Sequence, residues 1–160
     1  MKSLSVIAGS KEEMYSELIP QLLSLTSGES DVTANLANIS AAMKATVPYY
    51  SWVGFYLMKE GELVLGPFQG KVACVRIPVG KGVCGVAVAQ RRPLVVPDVN
   101  AFPGHIACDP ESRSEIVIPL LRHDKVLGVL DVDSSQPDAF DETDKRHLER
   151  IGEIATQVIH

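Results

Sequence analysis

Residues 116–133, IVIPLLRHDKVLGVLDVD, contain two β-prone runs, Ile116 to Leu121 and Val126 to Asp133, with His123 to Lys125 turning the chain between them. So short a connection joins antiparallel neighbours. Side chains alternate across a strand, which puts Asp131 and Asp133 on one face of the second run and Leu130 and Val132 on the other. The ordinary reading of paired acids is a solvated strand face. The alternative is a pocket, where crowded carboxylates repel and one of them keeps its proton at neutral pH. Glu115, at the start of the first run, is a third acid that such a pocket would gather.

Upstream, Ser51 to Met58 is aromatic and β-prone, Lys59 to Glu62 supplies a turn, and Leu63 to Leu65 is a short strand, which together make a hairpin. Cys74 to Ile77 and Leu94 to Val96 are two further strands, for a mostly antiparallel sheet of about six. Helical spacing recurs from Lys11 to Leu25 through Met14, Leu18, Leu22 and Leu25, interrupted by Pro20, which marks a kink or a later start. A second helix begins at Ser30 or Asp31 and runs through Leu36, Ile39 and Met43 toward Pro48. The stretch GKGVCGVAVAQRR is a short helix reached through glycines, and Asp141 to Ile159 is a closing amphipathic helix with Leu148, Ile151, Ile154 and Val158 inward. The fold class is therefore α+β, with the N- and C-terminal helices packed on one face of the central sheet. No internal repeat, low-complexity tract or interdomain linker divides residues 1–160, which read as one domain.

The formal charge is -5, with lysine and arginine scattered, which argues against nucleic acid or an anionic membrane as a partner. No apolar run approaches the roughly 20 residues of a membrane span. The start MKSLSVIAGSKEEMY lacks the core and cleavage site of a secretory leader, so the expected location is the cytoplasm. Three cysteines make no extracellular disulfide framework. A zinc site would gather Cys74, Cys84, His105 and Cys108, but no close cysteine pair supports it, and no bound metal or cofactor is expected.

The long irregular stretch Asp98 to Ser114 is where function is first sought. Cys108 lies in it, within FPGHIACDPESRSE, where a thiol can reach solvent or substrate, as against the usual fate of a free cysteine as a small buried hydrophobe. His105 either lowers the pKa of that thiol or is a surface imidazole. Cys84 follows Gly82 at a helix start, where the dipole and free N–H groups stabilise a thiolate; it reads equally as an apolar helix residue. Cys74 opens a strand and by position reads as core. Trp52, Gly54, Tyr56 and Met58 share one face of their strand, leaving a gap at Gly54 that would admit a small ligand between aromatic walls unless the stripe is plain core.

Residues 51–134 closely resemble the free methionine-(R)-sulfoxide reductases, a catalytic branch of the GAF domain fold. The segments SWVGFYL, LVLGPFQGKVACVRIPVGKGVCG, VPDVNAFPGHIACDPESRSEIVIPL and GVLDVDS carry the likeness over about half the chain. The resemblance implies that Cys108 in GHIACD is the catalytic cysteine and that Cys74 and Cys84 are auxiliary, with Cys74 the first candidate to resolve Cys108. It further implies that Trp52 holds the substrate methyl group and Tyr56 completes that wall. Glu115 and Asp133 would engage the sulfoxide oxygen and Asp131 the ammonium group. The implied chemistry is attack of the Cys108 thiolate on sulfoxide sulfur, a sulfenic acid, an intramolecular disulfide, and recycling by thioredoxin. The family also implies a homodimer. Two other readings stay open at this level: a GAF module that senses a small ligand without chemistry, and a thiol sensor oxidised directly by peroxide.

Overall fold

The computed structural model describes residues 9–160; the reading of the first eight residues as no leader falls outside them. Four helices are α1 (Lys11–Thr26), α2 (Val32–Thr46), α3 (Gly82–Gln90) and α4 (Glu142–Val158). Six strands are β1 (Trp52–Lys59), β2 (Glu62–Gln69), β3 (Arg76–Pro78), β4 (Leu94–Val96), β5 (Ser114–Arg122) and β6 (Lys125–Ser134). They form one sheet in the order β3-β2-β1-β6-β5-β4, with every neighbouring pair antiparallel. The α+β class and the six-strand expectation hold. Among the described residues, no helix is long and apolar enough to cross a membrane.

Local chemistry sets the helix starts. The Ser10 hydroxyl accepts from the Glu13 N–H, and the Asp31 carboxylate from the Ala34 N–H, which resolves the choice between Ser30 and Asp31. A capping box of Asp141 and Asp144 opens α4. Pro20 lies inside α1, which runs continuously through it, because buried Met14, Tyr15, Leu18 and Leu22 hold both of its halves on the core.

Helices α1, α2 and α4 cover one face of the sheet, where Phe55, Val53, Ile116, Ile118, Leu130 and Val132 meet Leu18, Leu36, Ile39, Leu148 and Ile151. Each such side chain, fully buried, contributes about 1.5–3 kcal/mol. The opposite face carries a smaller cluster under α3, in which Trp52, Tyr56, Val117 and Val129 pack with Leu63, Ile77, Val83 and Cys84. The odd and even residues of β1, β5 and β6 thus serve two different layers.

Two strands depart from expectation. β2 continues to Gln69, past the expected end at Leu65, because a register shift between Gly54 and Tyr56 lets β1 stay paired beyond Gly66 and Pro67. β3 begins at Arg76, so Cys74 does not open a strand; it sits in the connection from β2. Its neighbour Val75 still accepts the Leu65 N–H at 2.9 Å. A short 3-10 turn, Val99–Ala101, interrupts the stretch read as irregular, which is otherwise loop up to β5.

Candidate active site

Strand register builds the floor of the site. Trp52 is directly opposite Asp133, and Asp133 directly opposite Glu115, so these residues of β1, β6 and β5 form one row across the sheet. Gly54, Asp131 and Val117 form the next. Cross-strand neighbours lie about 4.5–5.5 Å apart, close enough for two rows to present three carboxylates to one space. Asp131 and Glu115 are buried and Asp133 is half-buried. The pocket above them is lined by Trp52, Tyr56, Cys84, His105 and Cys108, among others.

Burial raises the pKa of Glu115 and Asp133 well above the carboxylate range; Asp131 adds to the effect at both, Asp133 adds to it at Glu115, and a hydrogen bond from Glu115 opposes it at Asp133. Asp131 is also raised by burial, with hydrogen bonding to Glu115 and Cys84 opposing. Such a cluster shares protons and offers one at neutral pH. The solvated-face reading of Asp131 and Asp133 therefore fails. Two buried polar atoms that line this space, Asp131 Oδ1 and Ser112 Oγ, have no hydrogen-bond partner within the protein.

The loop from Asp98 to Arg113 arches over the pocket and is tied at its base by Val99 N–H to the Arg113 carbonyl and Arg113 N–H to the Ser134 carbonyl, at 2.9 and 2.8 Å. It brings Cys108 to Cys74 in a disulfide with Cα atoms 5.5 Å apart, within the usual span for such a bond. Both cysteines are half-buried. The strand-core reading of Cys74 is thereby corrected: leaving the strand ladder is what lets it face the loop.

Cys84 is a free, buried thiol on α3. Its Sγ is 3.9 Å from Glu115 Oε2. Burial first, then Asp131, Glu115 and Asp133, push its pKa well up. Of the two readings of Cys84, this environment favours the buried apolar residue over the thiolate, because desolvation beside three acids outweighs the dipole of a nine-residue helix. His105 lines the pocket and is not a plain surface imidazole. Burial lowers its pKa, with Asp131 opposing, so it is held toward the neutral form.

The gap foreseen at Gly54 is closed. Phe68 pairs with Gly54 across β1 and β2, and a Cβ there would strike the Phe68 side chain. The Phe68 ring stacks on Trp52 at 5.2 Å, and Trp52 on Tyr56 at 6.1 Å. The usable space is therefore beside Trp52 and Tyr56, above the carboxylates. Trp52 Nε1 donates to the Lys71 carbonyl at 3.0 Å, and the Tyr56 hydroxyl to the Cys74 carbonyl at 2.9 Å.

The site thus assembles Trp52, Tyr56, Cys84, Cys108, Glu115, Asp131 and Asp133 around one pocket, with Cys74 joined to it through Cys108. Ser112, Ala73 and Ile106 also line it. Sequence reasoning missed them, since neither periodicity nor a motif marks a side chain on an irregular loop. The zinc quartet is not gathered, because Cys74 and Cys108 are bonded to each other. Among the described residues, Cys84, Glu115 and Asp131 are the group whose ligand atoms all lie within 4.8 Å of one another.

Residues 31–160 match the family model described as GAF domain. The chain is 52% identical to GAF domain-containing protein A of Dictyostelium discoideum, over 94% of this chain and 95% of that one. It is 48% identical to the free methionine-R-sulfoxide reductase of Escherichia coli, over 88% and 86% of the respective chains. Among solved structures, that of the free methionine-R-sulfoxide reductase from Neisseria meningitidis in complex with its substrate superposes with a TM-score of 0.96 at 47% identity, covering 99% of this chain and 95% of the other.

Proposed function

The chain belongs to the GAF-domain family and, within it, to the free methionine-(R)-sulfoxide reductases, and from that premise we propose that it reduces free L-methionine-(R)-sulfoxide to L-methionine by thiol chemistry. The observation that carries the reading is the Cys74–Cys108 disulfide beside a pocket floored by three acids, Glu115 and Asp131 buried and Asp133 half-buried. A sulfoxide reductase needs both parts: a thiolate to attack sulfur and an acid to protonate the departing oxygen. A sensor of small ligands needs neither.

In the proposed cycle, residues 1–160 act as one catalytic domain. The substrate methyl group packs on Trp52 with Tyr56 beside it. Its ammonium group meets Asp131, whose Oδ1 has no partner within the protein. The Cys108 thiolate attacks sulfur while Glu115 and Asp133 supply protons to the oxygen, which transfers to Cys108 as a sulfenic acid and releases methionine. The Cys74 thiol then attacks the Cys108 sulfur; the S–S bond forms, the S–O bond breaks, and the hydroxyl leaves as water with the thiol proton. An external dithiol, thioredoxin, returns both cysteines to thiols by exchange. Cys84, protonated and beside Glu115, is held as a reserve thiol. No bound cofactor enters the cycle. The protein works in the cytoplasm as a homodimer.

The test supplies the purified protein with thioredoxin, thioredoxin reductase and NADPH, and compares the R and S epimers of free methionine sulfoxide and the N-acetylated R form. NADPH loss is expected with the free R epimer alone. Equal rates on free and acetylated substrates, or on both epimers, would remove the assignment.

A further inference from the structure

Cys74 must meet Cys108 sulfur to sulfur, and its segment is packed on one side only: Ala73 and Cys74 are half-buried against the pocket-side cluster. Val72 and Val75, on either side of it, are 88% and 61% exposed. The segment is neither helix nor strand from Lys71 to Val75. Its ties to the sheet are three hydrogen bonds: Leu65 N–H to the Val75 carbonyl, Trp52 Nε1–H to the Lys71 carbonyl, and Tyr56 O–H to the Cys74 carbonyl. The last is the only one of the three made to the cysteine itself. Lys71 also pairs with Glu111 of the Cys108 loop, but both side chains are exposed, where such pairs hold weakly.

We infer that Tyr56 is a positioning residue for Cys74: through its hydroxyl it sets the resolving cysteine at the distance from Cys108 that disulfide formation needs. The inference rests on the proposed sulfenic acid cycle and deepens it. Tyr56 sits on β1, fixed by stacking with Trp52 and by burial, so its hydroxyl is a rigid donor at the base of a segment whose Val72 and Val75 are exposed. Burial also keeps the phenol protonated and donating. The ring and the hydroxyl thereby have separable duties, the ring in the substrate wall and the hydroxyl on the backbone of the next reactant. The step affected is the one in which the Cys74 thiol displaces hydroxide from the Cys108 sulfenic acid, releasing water; the oxygen-transfer step before it does not involve Cys74.

Tyr56→Phe keeps the ring and removes the bond. The pre-reduced wild type and variant are mixed with one equivalent of free L-methionine-(R)-sulfoxide, without external reductant. Methionine release is followed by chromatography, and in the same samples Cys108 sulfenic acid is followed by dimedone adduct and the disulfide by mass spectrometry. Because Tyr56 also lines the substrate wall, the readout is the ratio of the two steps: in the variant, disulfide formation is expected to slow about fivefold to tenfold beyond any slowing of methionine release, the scale of one lost neutral hydrogen bond. Dimedone adduct should accumulate to match. Equal slowing of both steps, slowing of methionine release alone, or no change in either would each overturn the inference. Failure of the wild type to release methionine at all would instead count against the proposed function.

Discussion

The two faces of the sheet each bury acid, and they treat it in opposite ways. On the helix-covered face, Asp144 is fully buried and saturated with donors: the Tyr15 and Tyr49 hydroxyls, Lys11 Nζ and the Asp141 N–H all point to it. On the pocket face, Glu115, Asp131 and Asp133 have mainly one another and a thiol. A buried charge with a full set of donors ties elements together, here α1, α4 and the segment before β1. A buried acid without them is held in readiness for a proton or a cationic ligand. The structural layer and the chemical layer share strands but not electrostatics.

Substitutions can separate the layers. Cys108→Ser should eliminate methionine formation even in a single turnover, a loss of a thousandfold or more in order of magnitude, since removing a nucleophile leaves only what binding and polar groups provide. Circular dichroism and the urea midpoint under reducing conditions should stay at wild-type values. A methionine burst from this variant would transfer the chemistry to another residue.

Asp144→Ala should do the reverse, costing about 3 kcal/mol of stability by leaving Lys11, Tyr15 and Tyr49 without their acceptor, the low end for breaking a buried pair because Lys11 keeps some exposure. Urea denaturation measures this, and the surviving folded fraction should keep the wild-type substrate preference. A loss under 1 kcal/mol would make the network incidental. Asp131→Asn sharpens the contrast: kcat/KM for the free amino acid should fall on the order of tenfold to a hundredfold, the scale of a hydrogen bond to a charged group. Its stability should be unchanged or higher, because a crowded charge is removed. A destabilised Asp131→Asn with normal kinetics would abolish the distinction between the faces.

The smallest effect is a pH dependence of opposite sign in the two layers. The folded-state pKa values of Glu115, Asp131 and Asp133 are raised, so between the ordinary carboxylate range and those values the native state binds more protons than the unfolded chain. Their contribution favours folding at the acid end and is lost as pH rises. Glu12 on α1 is the opposite case, lowered to about 2 by hydrogen bonds to Arg146 and His147 on α4. Its contribution is present above the ordinary carboxylate value and is lost as pH falls toward 2. Urea midpoints across pH should show Asp131→Asn flattening the decline on the rising side, and Glu12→Gln flattening the decline on the acid side.

The alternation of Asp131 and Asp133 against Leu130 and Val132 made the two faces legible in the sequence, because strand geometry converts spacing directly into side. The helices were legible for the same reason, with Asp31 and Asp141 marking two of their starts. What spacing does not encode is distance between segments. That Phe68 closes the gap at Gly54, that Asp144 collects two tyrosines, and that Cys74 leaves its strand to meet Cys108 all follow from how separate pieces pack. The local cue at Cys84, a helix start, left thiolate and apolar packing equally open, and the neighbours supplied by β5 and β6 decided for the protonated thiol. The resemblance to a family named the thiols, but their relation in space needed the fold.

The paired row that links Trp52, Asp133 and Glu115 constrains how this chain can drift over generations. Loops such as the one carrying Cys108 can lengthen while the sheet beneath them stays intact. β6 has no such latitude, since it lies between β1 and β5 and supplies the helix-covered core with one set of side chains and the pocket with the other. Deleting one residue there would turn Asp131 and Asp133 into the oily layer beneath α4 and expel Leu130 and Val132 into the pocket. A single-residue insertion or deletion in the stretch of β6 that carries Asp131 and Asp133 would therefore disturb the core and the pocket together.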